Sequence, residues 1–152
     1  MAKGNVTPEE LALLGLALVD PLPVGGQVLE VEVRSGNGTA SMWSYMYGPI
    51  FHERLGIPSL WPGTLNLWAI SPVTWENPAQ YWLHEFCPIV LEERAIGLVL
   101  RWADPPPPRS RTPDFLEVLS PVELRPRLGN LENGQKISVR LLSGDLLEGG
   151  NG

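Results

Sequence analysis

The feature that most limits the fold is a series of short β-strand patterns without regular helices between them. Residues 27–34 alternate, with Leu29, Val31 and Val33 on one side and polar or charged residues on the other, as in a half-buried strand. A parallel sheet requires long, usually helical crossovers, which this chain lacks, so a small, mainly β barrel with inserted helices fits best. Further strands are predicted at 64–70, 89–91, 95–102, 115–119 and 136–142.

Helical signals are few. Thr7 and Pro8 followed by Glu10 predict a helix that begins near the N-terminus and ends near Asp20. Shorter helices are predicted at 49–55 and 122–128. The length of 152 residues suits one hydrophobic core. The predicted organisation is an N-terminal helical extension over 1–25, a barrel domain over 26–142 and a flexible tail over 143–152.

Composition and charge exclude several functional classes. With 43% hydrophobic and 18% charged residues the chain should fold, and its net charge of −6 disfavours nucleic-acid binding. Because Lys3 and Lys136 are its two lysines, any bound phosphate must be neutralised by arginine, backbone amides or a metal ion. The lone Cys87 cannot form an internal disulfide, which predicts a cytoplasmic protein, and the apolar stretch 11–19 is too short to cross a membrane.

A candidate metal site lies at the start of the predicted strand 64–70. Residues two apart on a strand share a face, which brings the Thr64 hydroxyl and the Asn66 amide to within reach of one ion. Neutral oxygens suit a magnesium ion that takes its other ligands from water and phosphates. Pro62 and Gly63 provide a tight turn beside it. On these residues alone the preferred interpretation is simpler: an ordinary turn followed by solvent-facing strand residues.

Other candidates are weaker. His52 and His84 each precede a glutamate, but neither has the i, i+4 histidine spacing of a helical zinc site, so both are expected to be ordinary surface or core residues. An anion patch of Arg101, Arg109 and Arg111 is a minor alternative. The six tryptophans could line a ligand cavity, but core packing is preferred. They are Trp43, Trp61, Trp68, Trp75, Trp82 and Trp102.

Four segments between residues 26 and 142 carry a resemblance to a known family. The chain resembles the archaeal CTP-dependent riboflavin kinases, which implies a six-stranded cradle-loop barrel. The specific parts are a Gly-Thr-Leu-Asn core and a Pro-Val-x-Leu-Arg segment. The segments are Leu55-Gly56, Pro62-Gly63-Thr64-Leu65-Asn66-Leu67, Leu116-Glu117-Val118-Leu119-Ser120-Pro121-Val122-Glu123-Leu124-Arg125 and Leu131-Glu132-Asn133-Gly134.

The resemblance implies a role for each matching segment. Thr64 and Asn66 would hold Mg²⁺, and Thr112 and Glu117 would contact the flavin. Apart from the resemblance, Glu117 is our candidate for the group that orients and deprotonates the attacking hydroxyl. The nucleotide would be bound by two segments: Gly36, Asn37, Gly38, Thr39, Ala40 and Ser41, and Val122, Glu123, Leu124 and Arg125.

The implied function is transfer of the γ-phosphoryl group of CTP to riboflavin, giving FMN. The expected partners are these small molecules, with no nucleic acid and no membrane, and the N-terminal helix is a candidate surface for homo-oligomer formation. The alternative is a non-catalytic relative that binds a nucleotide, flavin or other small ligand. The run 36–41 favours this alternative, because it departs from the family's Gly-x-Gly-Glu-Gly. Retention of Thr64, Asn66, Glu117 and Arg125 favours the enzyme.

Overall fold

The computed structural model of the chain describes residues 25–34, 40–55, 60–61, 64–102 and 115–150. The helix predicted near the N-terminus lies outside them. The described strands are β1 (Gln27–Arg34), β2 (Leu65–Ala69), β3 (Ala79–Tyr81), β4 (His84–Leu91), β5 (Ala95–Trp102), β6 (Phe115–Leu119) and β7 (Lys136–Leu141). The helices are α1 (Ala40–Leu55), α2 (Leu124–Arg127) and a C-terminal 3₁₀ helix (Gly144–Gly150).

The strands form a closed antiparallel barrel. Their order in the sheet is β3-β4-β5-β6-β2-β1-β7, and β4 also pairs with β7. This last pairing, in which Ile89 lies opposite Leu141 and Leu91 opposite Val139, closes six of the strands into a ring. The short strand β3 adds to β4 outside that ring. The prediction of a mainly β, six-stranded barrel with short inserted helices is confirmed.

Strand alternation fills the barrel interior. Leu29, Val31 and Val33 of β1 are buried, as the sequence pattern predicts, and pack in one core with Leu65 and Leu67 of β2. Each fully buried side chain of this kind stabilises the fold by roughly 1.5–3 kcal/mol. The other face of β2 therefore points away from the barrel core, which decides where its polar residues lie.

A second buried cluster covers the outside of β4 and β5. Tyr47 and Phe51 of α1 are fully buried against Phe86 of β4, with ring centroids 5.0 and 5.1 Å from that of Phe86. Leu147 of the 3₁₀ helix is buried in the same cluster, so this part of the predicted flexible tail packs on the barrel. Among the described helices, none has the length and apolar character needed to cross a membrane.

Three local differences separate the structure from the sequence prediction. Helix α1 begins at Ala40 rather than at Pro49, which lies inside it. Strand β4 begins at His84 rather than Ile89, because burial on both faces and an internal proline hide its alternation. The short strand β3 was not predicted. Residues 40 and 41 consequently belong to a helix and not to a glycine-rich turn.

Gly97 leads to a prediction about core packing. A Cβ atom on this β5 residue would lie 2.6 Å from Cγ1 of Val118 and 2.8 Å from the Leu119 carbonyl oxygen. Gly97→Ala should therefore lower the free energy of unfolding by about 1–3 kcal/mol, measured by urea unfolding. Gly48→Ala is the matched control, because a Cβ there meets no atom within 4 Å in α1. Equal stability of the two variants would contradict this account of the interior.

Candidate functional site

Strand pairing brings together three of the residues singled out in the sequence. Asn66 of β2 lies directly opposite Glu117 of β6, and Thr64 precedes β2 on the same face as Asn66. The Thr64 hydroxyl donates a hydrogen bond to Oε2 of Glu117 at 3.2 Å. Because Leu65 and Leu67 fill the barrel core, this face is the outer one. We refer to Thr64, Asn66 and Glu117 as the oxygen cluster.

Asn66 is a buried polar residue on the outer face of β2. Its relative exposure is 5%. Because it lies directly opposite Glu117, the two side chains form a cross-strand pair on this face. The amide is therefore placed to contact a ligand that approaches the Glu117 carboxylate.

Glu117 is held in an environment that disfavours its charge. Burial raises the pKa of this carboxyl above its ordinary value, and the hydrogen bond from Thr64 lowers it by a smaller amount. A carboxylate with a raised pKa is a stronger proton acceptor once it is ionised. Burial and the Thr64 contact thus equip Glu117 for accepting a proton.

A cleft of about 180 Å³ lies beside the oxygen cluster. It contains the four residues 122–125 that the resemblance assigns to the nucleotide, together with Thr64. Thr64 is thus shared by the cleft and the oxygen cluster. The lining residues are Trp61, Thr64, Leu65, Val118, Ser120, Val122, Glu123, Leu124 and Arg125.

Ser120 shapes the cleft at the point where β6 ends. Its buried hydroxyl accepts a hydrogen bond from the Val122 amide at 3.3 Å and donates one to the Ile96 carbonyl at 3.2 Å. Its carbonyl accepts a hydrogen bond from the Trp61 amide at 2.8 Å. These bonds hold together two chain segments that line the cleft, one at Trp61 and one at Val122.

Arg125 joins the cleft to the neighbouring turns. Its guanidinium donates to the Leu131 carbonyl at 2.9 Å, to Oδ1 of Asn133 at 2.9 Å and to the Arg34 carbonyl at 3.3 Å. Since Arg34 is the last residue of β1, the chain leaves β1 next to Arg125. Arg125 therefore fixes the wall of the cleft through contacts with its own chain, and its contact with a nucleotide stays a prediction.

The remaining predicted site residues lie either outside the described part of the chain or in helix α1. Thr112 and the segment 36–39 lie outside the described residues. Ala40 and Ser41 form the start of α1. Their predicted roles in binding flavin and nucleotide remain predictions.

The other ionisable candidates have structural surroundings. Nδ1 of His84 lies 2.6 Å from the Tyr47 hydroxyl, and burial lowers the pKa of His84 to about 4. Arg101 pairs with Glu85 at 2.8 Å, and its guanidinium lies over the ring of Trp75. In the part of the chain that is described, no three His, Cys, Asp or Glu side chains are grouped to hold a metal. Any cation at the oxygen cluster would therefore depend on the neutral oxygens of Thr64 and Asn66.

The expectation that the tryptophans pack in the core is wrong for several of them. Trp61 is 44% exposed, Trp68 39% and Trp82 58%. Trp61 lines the cleft, and Trp68 lies on the same face of β2 as the oxygen cluster. Thr64, Asn66 and Trp68 follow one another at intervals of two residues. This spacing already predicts from the sequence that Trp68 shares the outer face of β2 with the other two.

Comparison with known proteins assigns no family to this arrangement. A scan against protein-family models gives no match, and a search of curated proteins gives none. The functional argument therefore depends on the residues of the site and on the resemblance described above.

The surroundings of Glu117 predict how stability varies with pH. Because burial raises the pKa of Glu117 in the folded chain, its favourable contribution is complete at acid pH and is lost as the pH rises through that pKa. Glu117→Gln removes the buried charge, so it should increase the free energy of unfolding at about pH 7, with the increase shrinking toward about pH 4. Urea unfolding at both pH values measures this difference.

The matched control for this experiment is Glu30→Gln. Glu30 lies at an exposed position of β1, so its replacement should change stability little at either pH. A Glu117→Gln variant that is less stable than the wild type at neutral pH would show that the carboxylate is not penalised by burial.

Proposed function

We propose that this chain is a phosphotransferase of the riboflavin kinase type, which uses CTP and Mg²⁺ to convert riboflavin to FMN. The observation that carries the proposal is the position of Thr64. It lines the cleft together with Val122–Arg125, and it donates a hydrogen bond to Glu117. Residues to which the resemblance gives separate roles in nucleotide binding, metal binding and flavin binding are therefore neighbours.

Glu117 is the proposed base. In the transfer, the terminal ribityl oxygen forms a bond to the γ-phosphorus as the bond from that phosphorus to the β,γ-bridging oxygen breaks. CDP leaves with the bonding electrons, and the proton of the hydroxyl passes to the Glu117 carboxylate. Thr64 holds that carboxylate in place through the hydrogen bond to Oε2. The main task of the protein in such a reaction is to position the two substrates.

The oxygen cluster has the donor chemistry that Mg²⁺ prefers. The Thr64 hydroxyl and the Asn66 amide would hold the ion, since both supply hard oxygen donors on one face. When bound, Mg²⁺ would neutralise charge on the β- and γ-phosphates. This matters for a chain of net charge −6 that has only two lysines.

The cleft supports the proposed donor site. Its volume of about 180 Å³ is smaller than a typical ligand pocket of about 300–1,000 Å³, so it would take one part of the nucleotide. The triphosphate would then extend toward Thr64, which borders both the cleft and the oxygen cluster. The free and buried Cys87 agrees with a reducing compartment, and we place the protein in the cytoplasm as part of this proposal.

A second candidate function is ligand binding without catalysis. The observation that favours it is the start of α1 at Ala40, which takes residues 40 and 41 out of the glycine-rich run that would wrap a phosphate. Such a protein would bind a nucleotide or flavin as a sensor and would form no FMN.

A product assay separates the two functions. The purified chain is incubated with riboflavin, Mg²⁺ and each nucleoside triphosphate in turn, and the flavins are separated chromatographically. We expect FMN to form with CTP faster than with ATP, and only in the presence of Mg²⁺. Flavin or nucleotide binding without any FMN would reject the enzyme in favour of the binding protein.

Glu117→Gln makes the same assay specific for the site. The amide keeps the shape of the side chain but cannot accept the proton, so turnover should fall by about 10²–10⁴-fold while riboflavin binding changes much less. Glu30→Gln on β1 is the control and should turn over like the wild type. An equal loss of binding and turnover would make Glu117 a substrate anchor rather than a base.

A further inference from the structure

The outer face of the β2–β6 ladder continues beyond the oxygen cluster to a pair of aromatic side chains. Trp68 of β2 lies directly opposite Phe115 of β6, one same-face step from the Asn66–Glu117 pair. Their ring centroids are 6.3 Å apart, and the ring planes are inclined at 71°. Trp68 keeps 39% of its surface exposed, so a large aromatic ring remains accessible beside polar groups.

The Trp68 ring is held in place although it is not buried. The Arg34 guanidinium lies over it, 5.0 Å from the ring centroid, and Arg34 is itself bonded to Glu32 at 3.1 Å. Phe115 contacts the ring edge-to-face. These contacts fix the orientation of the ring. Stacking a planar ligand on it therefore costs the protein little additional side-chain entropy.

The spacing of same-face residues along β2 places three features in a row. Same-face residues are about 6.6–6.8 Å apart along a strand, so Thr64 and Trp68 are separated by roughly 13 Å, with Asn66 between them. The cleft lies at the Thr64 end of this row and the aromatic pair at the other. An acceptor whose hydroxyl reacts at Glu117 and whose body extends away from the cleft would reach Trp68.

We propose that Trp68, Phe115 and Arg34 form the subsite for a planar conjugated ring on the acceptor alcohol. The ring would stack on Trp68 and be joined to the reacting hydroxyl by a chain of about five atoms. Such a chain, with bonds of about 1.5 Å, covers the one same-face step of about 6.6–6.8 Å between the Asn66–Glu117 pair and Trp68. This inference rests on the proposed function, and it adds the side of the site on which the acceptor binds and the residues that select a flat ring.

The test is a fluorescence titration with two probes in parallel with the product assay. Riboflavin carries the ring and its polyol chain, and lumichrome carries the ring alone. Trp68→Leu should weaken the binding of both by about tenfold to a hundredfold, as expected for the loss of one aromatic stacking contact. The riboflavin KM should rise by a similar factor, while kcat and the affinity for CTP stay close to the wild-type values.

Three further variants separate ring stacking from a general loss of structure. Trp68→Phe should restore most of the binding. Trp82→Leu replaces a more exposed tryptophan outside the β2–β6 ladder and should bind both probes normally. Phe115→Leu removes the edge contact from the opposite strand. Like Trp68→Leu, it should lower the affinity for both probes. Thermal unfolding of each variant verifies that it is folded.

The possible failures are distinguishable. If the wild type forms FMN but Trp68→Leu and Phe115→Leu keep the wild-type KM and probe affinities, the subsite is wrong and the phosphotransferase stands. If Trp68→Leu lowers the affinity for riboflavin but not for lumichrome, Trp68 contacts the polyol chain, and the assignment of a ring subsite is wrong. If the wild type neither binds riboflavin nor forms FMN, the proposed function fails and the subsite fails with it.

Discussion

The pairing register between β2 and β6 is the constraint on which the candidate site depends. It sets Asn66 against Glu117 and Trp68 against Phe115, while Leu65 and Val118 face each other in the barrel core. A slip of one residue would exchange the inner and outer faces of the strand, at the cost of exposing the core leucines and burying the polar residues. The hydrophobic core therefore determines the geometry of the polar outer face, and the barrel closure by β4 and β7 holds that core together.

Electrostatics explains why such a site would require a cation. The chain has a net charge of −6, and Arg125, the arginine in the cleft wall, is bonded to carbonyl groups of its own chain. Glu117 adds a carboxylate whose pKa burial already raises. A triphosphate beside it would bring more negative charge, so binding without a counter-ion would be opposed by repulsion. The hydroxyl of Thr64 and the amide of Asn66 are neutral oxygen donors, which would hold a divalent cation without adding charge to the protein.

The sequence was informative where one face of a strand is buried and the other is exposed. Strand β1 follows its alternation of Leu29, Val31 and Val33, and this pattern was sufficient to place it. Strand β4 is buried on both faces and contains Pro88, so periodicity identified only its end. The closure of β4 on β7 joins residues about fifty positions apart, and no local pattern encodes such a contact.

In the site, too, features within one strand were predictable from the sequence, and contacts between strands were not. The Thr64–Asn66 spacing was visible in the sequence because it lies within one strand. The contact of Thr64 with Glu117 spans 53 positions, and only the resemblance suggested that these segments act together. The exposed Trp68 was missed because tryptophan is more often a core residue, and the Arg34 and Phe115 contacts that hold it at the surface come from two other strands.

The most direct test of the account is to map where a metal–nucleotide complex binds. Mn²⁺ accepts the same oxygen ligands as Mg²⁺, and its unpaired electrons broaden nearby amide signals in NMR spectra of the labelled chain. Titration with CTP and a small proportion of Mn²⁺, with Mg²⁺ as the diamagnetic reference, should broaden the amides of residues 64–66 and 122–125 first. Broadening centred elsewhere on the barrel, or an equal effect of Mn²⁺ without CTP, would contradict the claim that the cleft and the oxygen cluster form one nucleotide site.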